Sequence, residues 1–175
     1  MGAAISIVAN NDSQKRIVAL WEQVAEFEAT PSMHSLNYPP HFTFAIYQNI
    51  EADDLCETVK DVFSKTPQVR ITFNNIRYFD ASPLVLWASP EDNSELHHLH
   101  TALHNKIDST LCDELYRPQH WIAHCTLGTN ILEARRIDAL SFASMPFEPF
   151  EVIFDTIDLI EFLPIRIVET ITLAK

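Results

Sequence analysis

The chain has 175 residues, 47% of them hydrophobic, a formal net charge of -12 and 2 glycines. That length supports one domain or two small lobes around a core that needs no disulfide or metal staple. So acidic a chain repels long duplex nucleic acid, which calls for a basic stripe, and so few glycines leave no Walker or dinucleotide loop.

Ile5 to Ala9 reads as a first buried strand. The opening MGAAISIVAN lacks the basic region and long apolar run of a signal peptide. Gly2 with Ser6 formally fits a myristoylation pattern, but a buried strand is the simpler reading. Asn10-Asn11-Asp12-Ser13 supplies capping residues for a helix to about Glu28, with Ile17, Leu20, Val24 and Phe27 on its apolar face. Residues 31–40 read as a loop that ends in Tyr38-Pro39-Pro40, ahead of a strand from His41 to Tyr47. A helix from Glu51 to Ser64 follows, then a strand alternating at Val69, Ile71 and Phe73. The apolar phase flips afterwards to Ile76 and Tyr78, which predicts a bulge at Asn74-Asn75. Pro83 precedes a strand from Leu84 to Ala88.

The second half retraces this course. Asn93 and Ser94 cap a helix with Leu96, Leu99, Leu103 and Ile107 inward, and a loop through Arg117-Pro118 leads into a strand at His124. Ile131 to Leu140 reads as a short helix. Phe150, Val152 and Phe154 form a strand with the same phase flip to Ile157 and Leu159, and Pro164 opens a last strand. Spacing supports a duplication: the pairs His41/His124 and Thr43/Thr126 are each 83 apart, while Phe73/Phe154, Ile76/Ile157, Pro83/Pro164 and Ile5/Leu86 are each 81 apart. The expected architecture is therefore α+β: a bilobal, pseudo-two-fold duplication of a β-α-β-α-β unit with antiparallel sheets lining a central cleft. A single bilobal domain, residues 1–175, is expected, with repeats at about 3–80 and 84–162 and a closing strand at 164–173.

His41-Phe42-Thr43-Phe44 and His124-Cys125-Thr126-Leu127 share one pattern. Strand side chains alternate, so each histidine stands beside its own threonine while the intervening residues enter the core. Two such strands meeting at a two-fold would give one cleft two imidazoles and two hydroxyls. With an ordinary pKa near 6.5, one imidazole accepts a proton while the other, as imidazolium, donates one. The hydroxyls suit non-bridging phosphate oxygens. This set fits in-line attack at a phosphodiester and needs no metal.

With these motifs the sequence resembles the two-histidine phosphoesterase superfamily, which includes 2′-5′ RNA ligase-like proteins and 2′,3′-cyclic phosphodiesterases. The resemblance implies His41 and His124 as the acid/base pair and Thr43 and Thr126 as phosphate-binding hydroxyls. The first motif, Pro40-His41-Phe42-Thr43-Phe44-Ala45, follows the family well. In the second, Trp121-Ile122-Ala123-His124-Cys125-Thr126-Leu127, Ala123 stands where the family usually has proline. The implied activity is metal-independent hydrolysis of 2′,3′-cyclic phosphates or 2′-5′-linked nucleotides, without a cofactor. The expected partner is a small nucleotide or RNA end, with no membrane, in a cytoplasmic monomer.

Competing readings attach to other residues. His97, His100 and His104 share a flank of their helix and could hold zinc in a hydrolase, but no carboxylate partner is identifiable beside them and a solvated face is the commoner role for such a stripe. A non-catalytic nucleotide or phosphate-ligand binder would use the same cleft without needing two proton-transfer groups. His120 is expected to be solvated or at most a substrate contact. Tyr38, Tyr116 and Trp121 could stack on a base or anchor loops. Arg77 and Arg117 could meet phosphate, with ion-paired surface roles preferred in so acidic a chain. Cys56, Cys112 and Cys125 have neither metal nor redox spacing and read as reduced thiols, Cys125 on the core face of its strand.

Overall fold

Alternating apolar residues place one face of most strands in a shared core. In the computed structural model, which describes residues 2–162 and 164–175, the described strands form two four-stranded sheets. The first comprises β1 (Gly2–Val8), β2 (His41–Tyr47), β7 (Thr156–Phe162) and β8 (Arg166–Thr172) in the order β2-β1-β7-β8. The second comprises β3 (Val69–Phe79), β4 (Leu84–Pro90), β5 (Cys125–Ile131) and β6 (Phe150–Phe154) in the order β5-β4-β3-β6. All pairings are antiparallel. Helices α1 (Lys15–Ala25), α2 (Ser32–Ser35), α3 (Cys56–Phe63), α4 (Ser94–His104) and α5 (Arg136–Ala143) complete an α+β fold. No described helix is long and apolar enough to cross a membrane.

The 81-residue spacing recurs in the strand register. Ile5 opposes Leu159 in the first sheet, and Leu86 opposes Tyr78 in the second, each residue shifted by 81. β1 slips against β2 between Ile5 and Ser6, and β4 slips against β5 between Leu86 and Trp87, the corresponding place. Between β3 and β6, Ile71 opposes Val152, its own counterpart, so the approximate two-fold passes between them. Phe73 and Phe154, another repeat pair, share the core there with Phe42, whose ring lies 5.9 Å and 4.9 Å from theirs.

Several boundaries differ from the sequence reading. Asn11 accepts from the Ser13 amide as a cap should, but a single 3-10 turn, Asp12–Gln14, precedes α1. The buried stripe of α1 is Ile17, Trp21 and Val24, with Leu20 only half-buried, because positions i, i+4 and i+7 also share a helix face. Residues 31–40 contain the one-turn α2. Ile131 does not begin a helix: it ends β5, opposite Leu84, and α5 starts at Arg136 after another 3-10 turn. Cross-strand pairing overrides the local helical pattern there. The phase flip at Asn74-Asn75 is a register shift inside the continuous β3, whereas in the second repeat Asp155 separates β6 from β7.

Candidate active site

β2 and β5 are the edge strands of their sheets, and they approach one another at the centre. His41 opens β2, His124 immediately precedes β5, and both are half-buried, as are Thr43 and Thr126. The residues between them point the other way: Phe42, Phe44, Cys125 and Leu127 are buried. Proximity across the two strands is felt electrostatically, because His124 helps to depress the His41 pKa, after the larger effect of burial. Burial pushes the Cys125 thiol up to about 12, against a hydrogen bond from the His41 backbone. Such a thiol is a core residue rather than a nucleophile.

The two histidines are held alike. His41 Nδ1 lies 2.8 Å from the Pro39 carbonyl, and His124 Nδ1 lies 2.7 Å from the Ile122 carbonyl, in each case two residues back. A carbonyl can only accept, so both bonds require Nδ1–H and leave Nε2 as the nitrogen available for chemistry. Ala123 preserves this geometry without the proline. Burial lowers the pKa of both imidazoles, and the carbonyl bonds oppose that shift.

Each motif threonine is tied through its carbonyl to an indole. Trp121 Nε1 donates to the Thr43 carbonyl at 2.9 Å, and Trp21 Nε1 donates to the Thr126 carbonyl at 3.1 Å. Periodicity and composition single out neither tie, because both are long-range contacts made by buried side chains. Trp121 is thus an anchor and not a free stacking platform. Tyr38 is also buried, with its hydroxyl donating to Asp158 at 3.0 Å, and burial and that carboxylate raise its pKa. Tyr116 is half-buried and packs against the core.

Across the first sheet, Thr43, Ser6, Asp158 and Thr170 stand in one row. Ser6 and Thr43 hydroxyls are 3.3 Å apart, and Thr170 donates to Asp158 at 2.8 Å. The matching row in the second sheet is Thr126, Trp87 and Arg77. Trp87 and Phe79 stack with centroids 5.2 Å apart, and both rings meet His124, at 6.1 Å and 5.1 Å.

The remaining sequence candidates lie elsewhere. His100 is 2% exposed, stacks on Trp121 at 4.1 Å and bonds the Tyr116 carbonyl at 2.8 Å. His97 meets the edge of Trp121, and His104 lies 4.5 Å from His100. Among the described residues no three His, Cys, Asp or Glu side chains are grouped to hold a metal, so the zinc reading of His97, His100 and His104 gives way to packing behind the Thr43 anchor. His120 is exposed, with its Nε2 4.0 Å from Glu114. Arg117 spends its guanidinium on the Cys112 and Thr110 carbonyls, at 3.0 and 3.1 Å. The expected ion pairing of Arg77 is not observed: it is exposed on β3, where no described acid reaches it.

The sequence matches the family described as "2'-5' RNA ligase superfamily" over residues 14–163. No curated protein sequence matches it. Its fold is similar to that of TT0787 from Thermus thermophilus, at 15% identity and a TM-score of 0.65, covering 99% of this chain and 98% of that one. E. coli LigT complexed with 3'-AMP superposes with a TM-score of 0.66, also at 15% identity, over 99% of this chain and 98% of that one. A crystal structure described as a phosphoesterase gives 0.60 at 14% identity, covering 99% of each chain.

Proposed function

The chain belongs to the 2'-5' RNA ligase superfamily, and from that premise we propose that it is a metal-independent phosphodiesterase hydrolysing 2′,3′-cyclic phosphates or 2′-5′-linked nucleotides. His41 and His124 are the acid/base pair, and Thr43 and Thr126 donate to the non-bridging oxygens. One Nε2 takes the proton from attacking water as the new P–O bond forms. The other, as imidazolium, gives its proton to the departing ribose oxygen. Each proton transfer contributes about 10²–10⁴-fold in rate, and the hydroxyls act as fixed dipoles toward the developing charge.

The observation that carries this reading is the matched pair of Nδ1–carbonyl bonds, at 2.8 and 2.7 Å. A binding cleft needs no such matched presentation of two Nε2 atoms, whereas reciprocal proton transfer does. LigT has been crystallised with 3'-AMP, ATP and NADP+, which favours a small nucleotide substrate, as does the net charge of -12. The test is a panel of 2′,3′-cyclic nucleotides and 2′-5′ dinucleotides incubated with the protein and a chelator. Hydrolysis of at least one class at an undiminished rate is expected. Turnover that stops on chelation and returns with added metal would overturn the mechanism.

A further inference from the structure

The two halves of the cleft differ in one respect that the duplication makes visible. Residue 77 and residue 158 are 81 apart and occupy the same place in their rows, two strands from the motif threonine. In the first sheet that place is Asp158, buried, with Tyr38 and Thr170 as its donors. In the second it is Arg77, exposed. β8 covers the Asp158 side, but β6 pairs only with Val69–Phe73 and leaves β3 an open edge beside Arg77.

Among the described residues, every other arginine has an ion pair, a hydrogen bond or an aromatic ring as partner. Arg77 has none, in a chain with 24 acidic against 12 basic residues. The row also carries the Trp87 indole N–H, which is buried without an acceptor, so it is not itself open to a ligand. Thr126 adds a hydroxyl. The first-sheet row therefore holds its own acceptor, and the second-sheet row offers Arg77 and Thr126 as accessible donors without one. The stacked Phe79 and Trp87 rings against His124 place Arg77 on the same face as the motif. Two interstrand spacings separate it from Thr126, roughly 10 Å between backbones, a gap that a guanidinium reaching inward shortens.

We propose that Arg77 binds a second phosphate of the substrate, next to the one held between the motifs. The preferred substrate is then a nucleotide or short oligonucleotide with a further phosphate, not a nucleoside carrying the cyclic phosphate alone. A guanidinium suits this role because its planar fork grips phosphate through two parallel bonds. The inference rests on the phosphodiesterase reading for the position of the first phosphate.

The test compares adenosine 2′,3′-cyclic phosphate with the same compound bearing a 5′-phosphate. Wild-type protein is expected to favour the phosphorylated compound in kcat/KM by about 10- to 100-fold, through KM. Arg77→Gln should bring that ratio to within about twofold of unity, and Arg77→Lys should restore part of it, because charge remains but the fork does not. A wild-type ratio near one, or a ratio that survives in Arg77→Gln, would overturn the proposal. Calorimetric binding of 3′-AMP and adenosine 3′,5′-bisphosphate decides the matter without turnover. If neither cyclic compound is hydrolysed, these cyclic phosphates are not the substrates, and the enzymatic reading then stands or falls with the 2′-5′-linked compounds. Arg77-dependent preference for the bisphosphate would still uphold the phosphate site, and equal or absent binding would overturn it.

Discussion

Burial and the Nδ1–carbonyl bonds act in opposite directions on His41 and His124, and burial prevails in both. The free protein at neutral pH therefore holds both imidazoles largely neutral, which in the proposed mechanism leaves a base in place and the acid scarce. As pH rises through the depressed values the imidazolium is lost, so the alkaline limb of kcat/KM should lie below the ordinary value of 6.5. A bound phosphate favours the charged imidazole, so the corresponding limb of kcat should lie at higher pH. Both limbs belong to the coupled pair rather than to one residue. Initial rates from pH 4.5 to 8.5 check this, and a kcat/KM that stays flat through pH 8 would contradict it.

Among the elements, the junction between α1 and β5 holds the second motif in place. Glu28, 9% exposed, accepts from the Thr129 and Asn130 amides and from both the amide and hydroxyl of Ser32. Glu28→Ala leaves the Asn130 amide and the Ser32 donors without their acceptor, while the Thr129 amide keeps the Ser32 hydroxyl, and should cost about 3 kcal/mol, read as a shifted denaturation midpoint at unchanged slope. Gly128 lies under the same junction, where an added Cβ would stand 2.6 Å from Val24 Cγ1. Gly128→Ala should therefore destabilise as well, by about 1–3 kcal/mol, although its backbone needs no unusual angle. Period-two alternation and constant spacing made β2, β5 and the duplication legible, because those signals are local or repeated. The Glu28 clamp, the two indole ties and the place of Ile131 were not, since each depends on a partner far away in the chain. Helical spacing also puts the three imidazoles of the His97–His104 stripe on one flank, where either a solvated face or a metal site is open to it, but Trp121 and the Tyr116 carbonyl decide what they face.

For the molecule as a whole, His100 couples folding to pH. Burial takes its pKa down to about 4 from an ordinary 6.5. The unfolded chain binds this proton below pH 6.5 while the folded chain does not until about pH 4, so stability is complete above 6.5 and falls between those values. The loss from this residue should reach roughly 2–3 kcal/mol at pH 4.5. Half-buried His104, its pKa also lowered by burial, adds a loss of the same sign. Urea midpoints at pH 7 and 4.5 should differ less in His100→Gln than in wild type, and an equal difference would contradict the assignment. This acid loss stands apart from the proposed chemistry, since His100 meets the motif strand from its core side, through Phe44 and through Trp121 bonded to the Thr43 carbonyl.

The central claim is that His41 and His124 share the proton transfers at one phosphodiester. Its most direct test is single-turnover hydrolysis by His41→Ala and His124→Ala, using the cyclic or 2′-5′-linked compound that wild type cleaves best, with circular dichroism to verify the fold. Each variant should lose about 10²–10⁴-fold in rate while remaining folded. A folded variant of either histidine that hydrolyses this compound at the wild-type rate would contradict the account.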